Sequence, residues 1–238
     1  MALILSIETS TRVCSVALSE NGKLLALEES TAQHSHAEQI TVFSEQVLYK
    51  AGKNFRDLDA IAVSKGPGSY TGLRIGVSTA KGFCYSLDKP LISVGTLPAL
   101  ASGMIQSLID QGKNPDSYLF CPMIDARRME VYAAVYDSTL NVKRKVEAEV
   151  IDEQSYADFL NEKPVLFIGD GAPKCKETLE GKDNASFTEQ PFLPSASYMI
   201  PLAEQKFAAK EFENVAYFEP FYLKDFIPGV SRVKGLKD

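Results

Sequence analysis

Ser6-Ile7-Glu8-Thr9-Ser10-Thr11 ends a strand signal in a carboxylate and a polar turn, and Met123-Ile124-Asp125-Ala126-Arg127-Arg128 repeats that pattern 117 residues later. The same offset sets Val16-Ala17-Leu18 on Ala133-Ala134-Val135 and the acidic turn Glu20-Asn21 on Asp137-Ser138. Ile61-Ala62-Val63-Ser64 then runs into the glycine loop Lys65–Gly72, KGPGSYTG, and Val165-Leu166-Phe167-Ile168 runs into Gly169-Asp170-Gly171-Ala172. One such match is within chance, because hairpins look alike; two in the same order point to duplication. Strand meander, helix, strand, glycine loop and helix, written twice, predict an α/β protein of two similar lobes facing a cleft. Gly112-Lys113-Asn114-Pro115-Asp116 is the best linker, dividing a lobe at 1–112 from one at 113–238. The C-terminal tail is free to pack back on the first lobe.

Within the first copy, Leu3–Glu8, Val13–Ser19 and Leu24–Glu29 read as strands, with Glu20-Asn21-Gly22-Lys23 turning the second into the third. Ser35-His36-Ala37-Glu38 has the spacing of a capping box. The helix after it places Ile40, Phe43, Val47, Leu48 and Ala51 at core spacing and meets Gly52, a natural stop. A helix to about Leu87 follows the glycine loop, then a strand at Leu91–Val94 and a helix opened by Thr96 and Pro98.

Composition bounds the function. The 238 residues carry a formal charge of −6, with 45% hydrophobic and 24% charged residues, an ordinary globular balance. An acidic chain does not grip nucleic acid unaided through its net field. No apolar run approaches the ~20 residues of a membrane helix, and Met1-Ala2-Leu3-Ile4-Leu5 lacks the basic start of a secretory leader. The scattered Cys14, Cys84, Cys121 and Cys175 form no CxxC and read as reduced cytosolic thiols.

The chemistry-bearing residues are few. Glu8 and Asp125 each end a strand before a turn of small or basic residues, the geometry that holds phosphate or metal across a cleft. The plainer alternative is an acid capping its own turn. The loop at 66–72 enters a helix but is neither a Walker A loop nor GxGxxG, so a sharp packing turn serves equally well. His34 and His36 sit at a helix start and form neither HExxH nor HxxxH, which argues against a bound metal. No GxSxG elbow exists for a serine triad. Gly72, Gly76, Ala80 and Cys84 repeat every four residues as a stripe of small side chains. Two interior glycines cost about 0.8–1 kcal/mol each relative to alanine. The stripe therefore implies a close helix contact, with this chain or with a partner. The aromatic run Tyr217–Leu223 is expected to pack a core, and the tail from Lys224 to Asp238 is basic enough to lie on a partner or RNA, or to be solvated.

Ile7-Glu8-Thr9-Ser10, KGPGSYTGLRIG at 65–76, Ile124-Asp125-Ala126-Arg127 with Glu130-Val131-Tyr132, and Pro220-Phe221-Tyr222-Leu223-Lys224 resemble, in that order, the TsaB (YeaZ) family. This resemblance implies the actin-like ATPase, sugar kinase and Hsp70-type (ASKHA) fold of two ribonuclease-H-like lobes. It implies a catalytically silent paralogue of the threonylcarbamoyl transferase TsaD, with no cofactor of its own. Such a chain works as scaffold or activator with TsaD and the ATPase TsaE on position 37 of tRNAs. The resemblance assigns partner binding to Gly72, Arg74, Gly76, Ala80 and Cys84, and vestigial nucleotide binding to Glu8, Thr9, Ser10, Asp125 and Asp170. It leaves room for a homodimer when the chain is alone and for a weakly held nucleotide at the partner interface. A small-molecule kinase of the same fold, using Asp125 or Asp170, is the alternative; a metallopeptidase is nearly excluded by the histidine count.

Overall fold

The computed structural model describes residues 2–32 and 36–224. The capping box at Ser35, the histidine His34 and the tail beyond Lys224 therefore fall outside the described residues. Strands β1 (Leu3–Glu8), β2 (Cys14–Glu20) and β3 (Lys23–Ser30) form an antiparallel meander. Asn21 and Gly22, at φ +54° and +73°, make the turn between β2 and β3. After helix α1 (His36–Lys50), strands β4 (Ala60–Ser64) and β5 (Leu91–Val94) add parallel to β1 on its other side, joined by helix α2 (Tyr70–Leu87). The sheet order is β3-β2-β1-β4-β5. Helix α3 (Thr96–Asp110) leads to a second sheet of β6 (Leu119–Asp125), β7 (Glu130–Tyr136), β8 (Val142–Val150), β9 (Val165–Ile168) and β10 (Ala185–Phe187). Its order, β10-β9-β6-β7-β8, repeats the first with β6 in the place of β1. Helices α4 (Ala157–Glu162), α5 (Ala172–Leu179) and α6 (Ile200–Ala209) complete the chain. This is the duplicated ribonuclease-H-like architecture of the ASKHA fold.

The layers follow from which strand faces are apolar. Every residue of β1, β4, β5 and β9 is buried, as parallel strands covered on both faces require. Helices α1 and α2 cover the outer face of the first sheet, where Ile40, Val47, Leu48, Val77 and Ala80 meet Leu5, Val16 and Val63. Between the sheets, the helices exchange places. Leu97, Leu100, Met104 and Leu108 of α3 pack on Phe120, Ile124 and Ile168 of the second sheet. From the other end of the chain, Ala203 of α6 and the preceding Met199 pack on Ile4, Ala62 and Ile92 of the first. Phe120 and Phe167 are fully buried, each contributing about 1.5–3 kcal/mol of hydrophobic stabilisation.

The small-residue stripe of α2 faces inward, which corrects the expected partner role of Gly72, Gly76, Ala80 and Cys84. A Cβ on Gly72 would stand 2.1 Å from the Thr9 carbonyl oxygen, and one on Gly76 would stand 2.2 Å from Thr9 Oγ1. Thr9 Oγ1 donates to the Gly72 carbonyl at 2.8 Å, and Ala80 and Cys84 continue the line into the core. The pattern reported a close approach correctly; the neighbour is the turn after β1, not a helix. Of the five residues, Arg74 alone is exposed, on the outer face with Ser78, Gly82 and Tyr85. The aromatic run also departs from expectation, because Tyr217 is 83% exposed and only Phe218 packs against the core.

Two substitutions in α2 should therefore move stability in opposite directions. Gly76→Leu forces α2 off Thr9, costs about 3 kcal/mol and lowers Tm by roughly 6–12 °C in a chain of this size. Gly82→Ala, where an added Cβ meets nothing within 4 Å, gains about 0.8–1 kcal/mol and raises Tm by roughly 2–4 °C. Thermal unfolding of both variants measures the contrast; a Gly76→Leu chain as stable as wild type would refute the inward reading.

Candidate functional site

The two duplicated turns are each built at the end of the central strand of a sheet. In the first, Glu8 is completely buried, and its Oε1 accepts from the Ser10 N–H at 2.6 Å. Burial pushes the Glu8 carboxyl above its ordinary pKa, against the opposing pull of hydrogen bonds from Ser10, Ser64 and Thr9. Ser64 Oγ shares a 2.8 Å hydrogen bond with Thr96 Oγ1, so the acid sits in a hydroxyl-lined interior. The glycine loop covers this turn from above. Ser69 N–H donates to the Ser10 carbonyl at 2.6 Å, and a Cβ on Gly68 would come within 2.3 Å of that oxygen. Ser69 also caps α2 by accepting from the Gly72 N–H at 3.2 Å. His36 Nε2 lies 2.9 Å from the Thr11 carbonyl, fixing the far side of the turn to α1.

In the second turn, Asp125 accepts from the Arg127 N–H at 2.8 Å, while Asp170 Oδ1 accepts from the Asp125 N–H at 3.0 Å. Burial raises the Asp170 pKa, and the neighbouring Asp125 charge adds to the rise; the Asp125 N–H and Arg12 oppose it. Gly169, at φ +104°, and Gly171 allow this approach, since a Cβ on either would meet the backbone of Met123 or Ile124. Lys174 reaches in from the first turn of α5 and donates to Asp125 Oδ1, the Arg128 carbonyl at 3.0 Å and the Glu130 carbonyl at 2.6 Å.

The N–H groups of Ser10, Asp125 and Arg127 are already given to this chain's own carboxylates. Among the described residues, no three His, Cys, Asp or Glu side chains are grouped to hold a metal ion. The four cysteines are free and buried, and burial pushes the Cys14 and Cys84 thiols up to about 12.

Two features lie outside the residues singled out in the sequence: the course of a C-terminal segment, whose return to the first lobe was expected, and a lysine. The segment 213–224 is a strap laid along the first lobe. Glu213 N–H donates to the Leu91 carbonyl at 2.8 Å, and Phe221 N–H donates to the Lys65 carbonyl at 2.7 Å. Lys81 Nζ holds the carbonyls of Ala216 and Phe218 at 3.2 and 3.1 Å. Tyr222 packs on Tyr70 at 4.8 Å between centroids, with Arg74 over the Tyr70 ring. At its end Lys224 forms an ion pair with Glu130 of the second lobe. The second feature is Lys174 itself. A lysine in the first turn of a helix opposes the helix dipole, and that misplacement was the signal available in the sequence.

Comparison with known proteins follows the same lines. Residues 29–227 match the TsaD family, described as tRNA N6-adenosine threonylcarbamoyltransferase. The tRNA threonylcarbamoyladenosine biosynthesis protein TsaB of Haemophilus influenzae is 30% identical, over 93% of each chain. That of Bacillus subtilis is 32% identical, again over 93% of each. The solved structure of YeaZ from Pseudomonas aeruginosa, 26% identical, covers 94% of this chain and 100% of its own, with a TM-score of 0.79. Similar from end to end in sequence and in fold, the chain belongs to the TsaB (YeaZ) family.

Proposed function

We propose that this chain is the non-catalytic partner of TsaD in the cytoplasmic assembly that forms N6-threonylcarbamoyladenosine at position 37 of tRNAs, acting as scaffold or activator with TsaE. The observation that carries the reading is the end-to-end likeness to proteins named for that biosynthesis. The cleft supports a silent role. Its first acid is enclosed beneath the glycine loop, and its second is neutralised by Lys174. The kinase alternative needs an acid free to act on a substrate, and Asp125 and Asp170 are both engaged with this chain's own groups. Among the described residues, no helix is long and apolar enough to cross a membrane.

The first lobe, 1–112, is the partner-binding half in this reading, through the outer faces of α1 and α2. Val42 and Tyr49, one heptad apart on α1, are 46% and 86% exposed, and Tyr85 on α2 is 88% exposed. Arg74 lies on the same outer face of α2. Large apolar and aromatic groups left in water beside charged ones suit the centre and rim of a protein interface.

Purified chain, supplied with tRNA, threonine, bicarbonate, ATP and the enzyme that makes the threonylcarbamoyl adenylate, should form no modified nucleoside. Adding TsaD and TsaE should restore it, as read by nucleoside chromatography. Modification without TsaD would overturn the silent reading. A second expectation concerns the helix faces. Tyr49→Asp with Tyr85→Asp should weaken co-elution with TsaD at least thirtyfold, the scale of interface hot spots at about 2 kcal/mol or more. Tm should barely move, because exposed positions change stability by only about 0.5 kcal/mol. Wild-type co-elution by this double variant would remove these faces from the interface.

A further inference from the structure

Among the described residues, Glu8 is the only Asp, Glu, Lys or Arg that is buried, and its surroundings give it little that would hold a charge. Oε1 accepts one hydrogen bond, from the Ser10 N–H at 2.6 Å. Oε2 accepts none of ordinary geometry, and no basic side chain among the described residues pairs with either oxygen. A carboxylate kept ionised inside a protein needs two or three N–H donors or a cation beside it. With neither, a buried acid takes up a proton instead.

The neighbouring groups suit an O–H donor rather than an anion. Ser6, two residues back, shares Glu8's face of β1, and the register sets Ser15 of β2 opposite Glu8. On the other side Val63 pairs with Ile7, which brings Ser64 of β4 alongside the acid. The hydroxyls of Ser64 and Thr96 satisfy each other at 2.8 Å. Those of Ser6 and Ser10 are buried without a hydrogen bond of ordinary geometry, although the Ser10 hydroxyl bears on the carboxyl. Protonation turns Oε2 from an orphaned acceptor into a donor that a serine oxygen can accept. Groups of variable charge around the acid do not favour the anion. Cys14 on β2 has its thiol pushed up to about 12 by burial and is neutral. Glu29 on β3 takes the Ser15 hydroxyl at 2.7 Å, a negative charge on that side. Arg12 at the end of the turn is exposed, and Lys65 at the start of the glycine loop forms no ion pair. From α1, His36 Nε2 lies 2.9 Å from the Thr11 carbonyl. Helix α2 meets the turn only through Gly72 and Gly76.

The turn that Glu8 holds is also the seat of the glycine loop. Glu8 takes the Ser10 N–H, and the Ser10 carbonyl takes the Ser69 N–H at 2.6 Å. Gly68 lies so close that a Cβ there would stand 2.3 Å from the same carbonyl oxygen. At its other end the loop presents the Lys65 carbonyl to the Phe221 N–H of the strap. We propose that Glu8 is a proton-held latch on this loop. As the neutral acid it closes the serine cluster and keeps the loop seated on Ser10. Loss of its proton to solvent unseats the loop, and with it the anchor of the C-terminal strap, because a buried anion gains by reaching water. Burial raises the acid's pKa in the folded chain. Glu8 therefore stabilises the fold fully below the ordinary glutamate range, and that contribution fades as pH climbs through the folded pKa.

The test compares the full wild-type chain with Glu8→Gln, which has the shape of the neutral acid and cannot ionise. Both are followed from about pH 5 upward until the wild-type acid has lost its proton. Carbon-13 resonances of the glutamate carboxyls, with Glu8 assigned through its backbone, read the protonation. Hydrogen exchange of the Ser69 amide, corrected for its intrinsic rate, reads the loop. Glu8 should lose its proton above the ordinary glutamate value of about 4.3, and Ser69 protection should fall roughly tenfold or more with the same midpoint. In Glu8→Gln the protection should stay level, and Tm should gain on wild type by roughly 3–5 °C over the titration. His36 is present in both chains, so the comparison cancels it. A Glu8 carboxyl that titrates in the ordinary range overturns the proposal. So does Ser69 protection that ignores the titration or fades equally in both chains, and so does simultaneous loss of protection at every amide, which is global unfolding. If Glu8→Gln does not fold, the two wild-type midpoints decide: coincidence supports the latch and separation overturns it.

Discussion

The contact between Thr9 and α2 is the constraint on which the first lobe depends. Thr9 follows the central strand, and its carbonyl and hydroxyl lie where the Cβ atoms of two helix positions would otherwise be. Only a helix with glycine at both 72 and 76 can come that close and still receive the hydroxyl's hydrogen bond at Gly72. Once α2 is seated, Ser69 reaches the Ser10 carbonyl and the glycine loop closes over Glu8. The loop in turn presents the Lys65 carbonyl to Phe221, which anchors the C-terminal strap. A chain of consequences thus runs from one threonine to the other end of the molecule.

That chain also shows how far the sequence could be read. The duplicated turns, the hairpin at Asn21-Gly22 and the helix bounds are local matters, set by periodicity and by the few residues that tolerate special backbone, and they were legible. The stripe of small residues on α2 was legible as closeness but not as direction, because small side chains report that something is near without saying what. Phe221, Tyr222 and Lys224 could not be placed from composition. Their partners, at Lys65, Tyr70 and Glu130, lie more than 90 residues away in the chain. An aromatic run that becomes a strap looks the same in sequence as one that fills a core.

The site was half legible for a related reason. Glu8 and Asp125 were singled out by their place at strand ends and Asp170 by the glycine loop that holds it, and the structure brings Asp125 and Asp170 together. What the sequence did not show is that the protein satisfies these groups itself. A carboxylate that takes its own turn's N–H, or an ammonium from the next helix, keeps the inherited geometry while leaving little for a ligand to replace. Duplication kept the same kind of turn at the end of both central strands, and internal hydrogen bonds engage the acid of each.

The exchange of α3 and α6 between the sheets bears on how the chain is made. During synthesis β1 to β5 emerge first, but the cover for Ile4, Ala62 and Ile92 comes with Met199 and Ala203. At about 5–20 residues per second, the ribosome needs roughly 6–20 seconds to travel from β5 to the end of α6. For that interval the inner face of the first sheet has only Ala99 of α3 against it, while the rest of α3 waits for a second sheet that has not yet been translated. The interior of this molecule is therefore the last part to close, and neither half can be finished before the other is nearly complete.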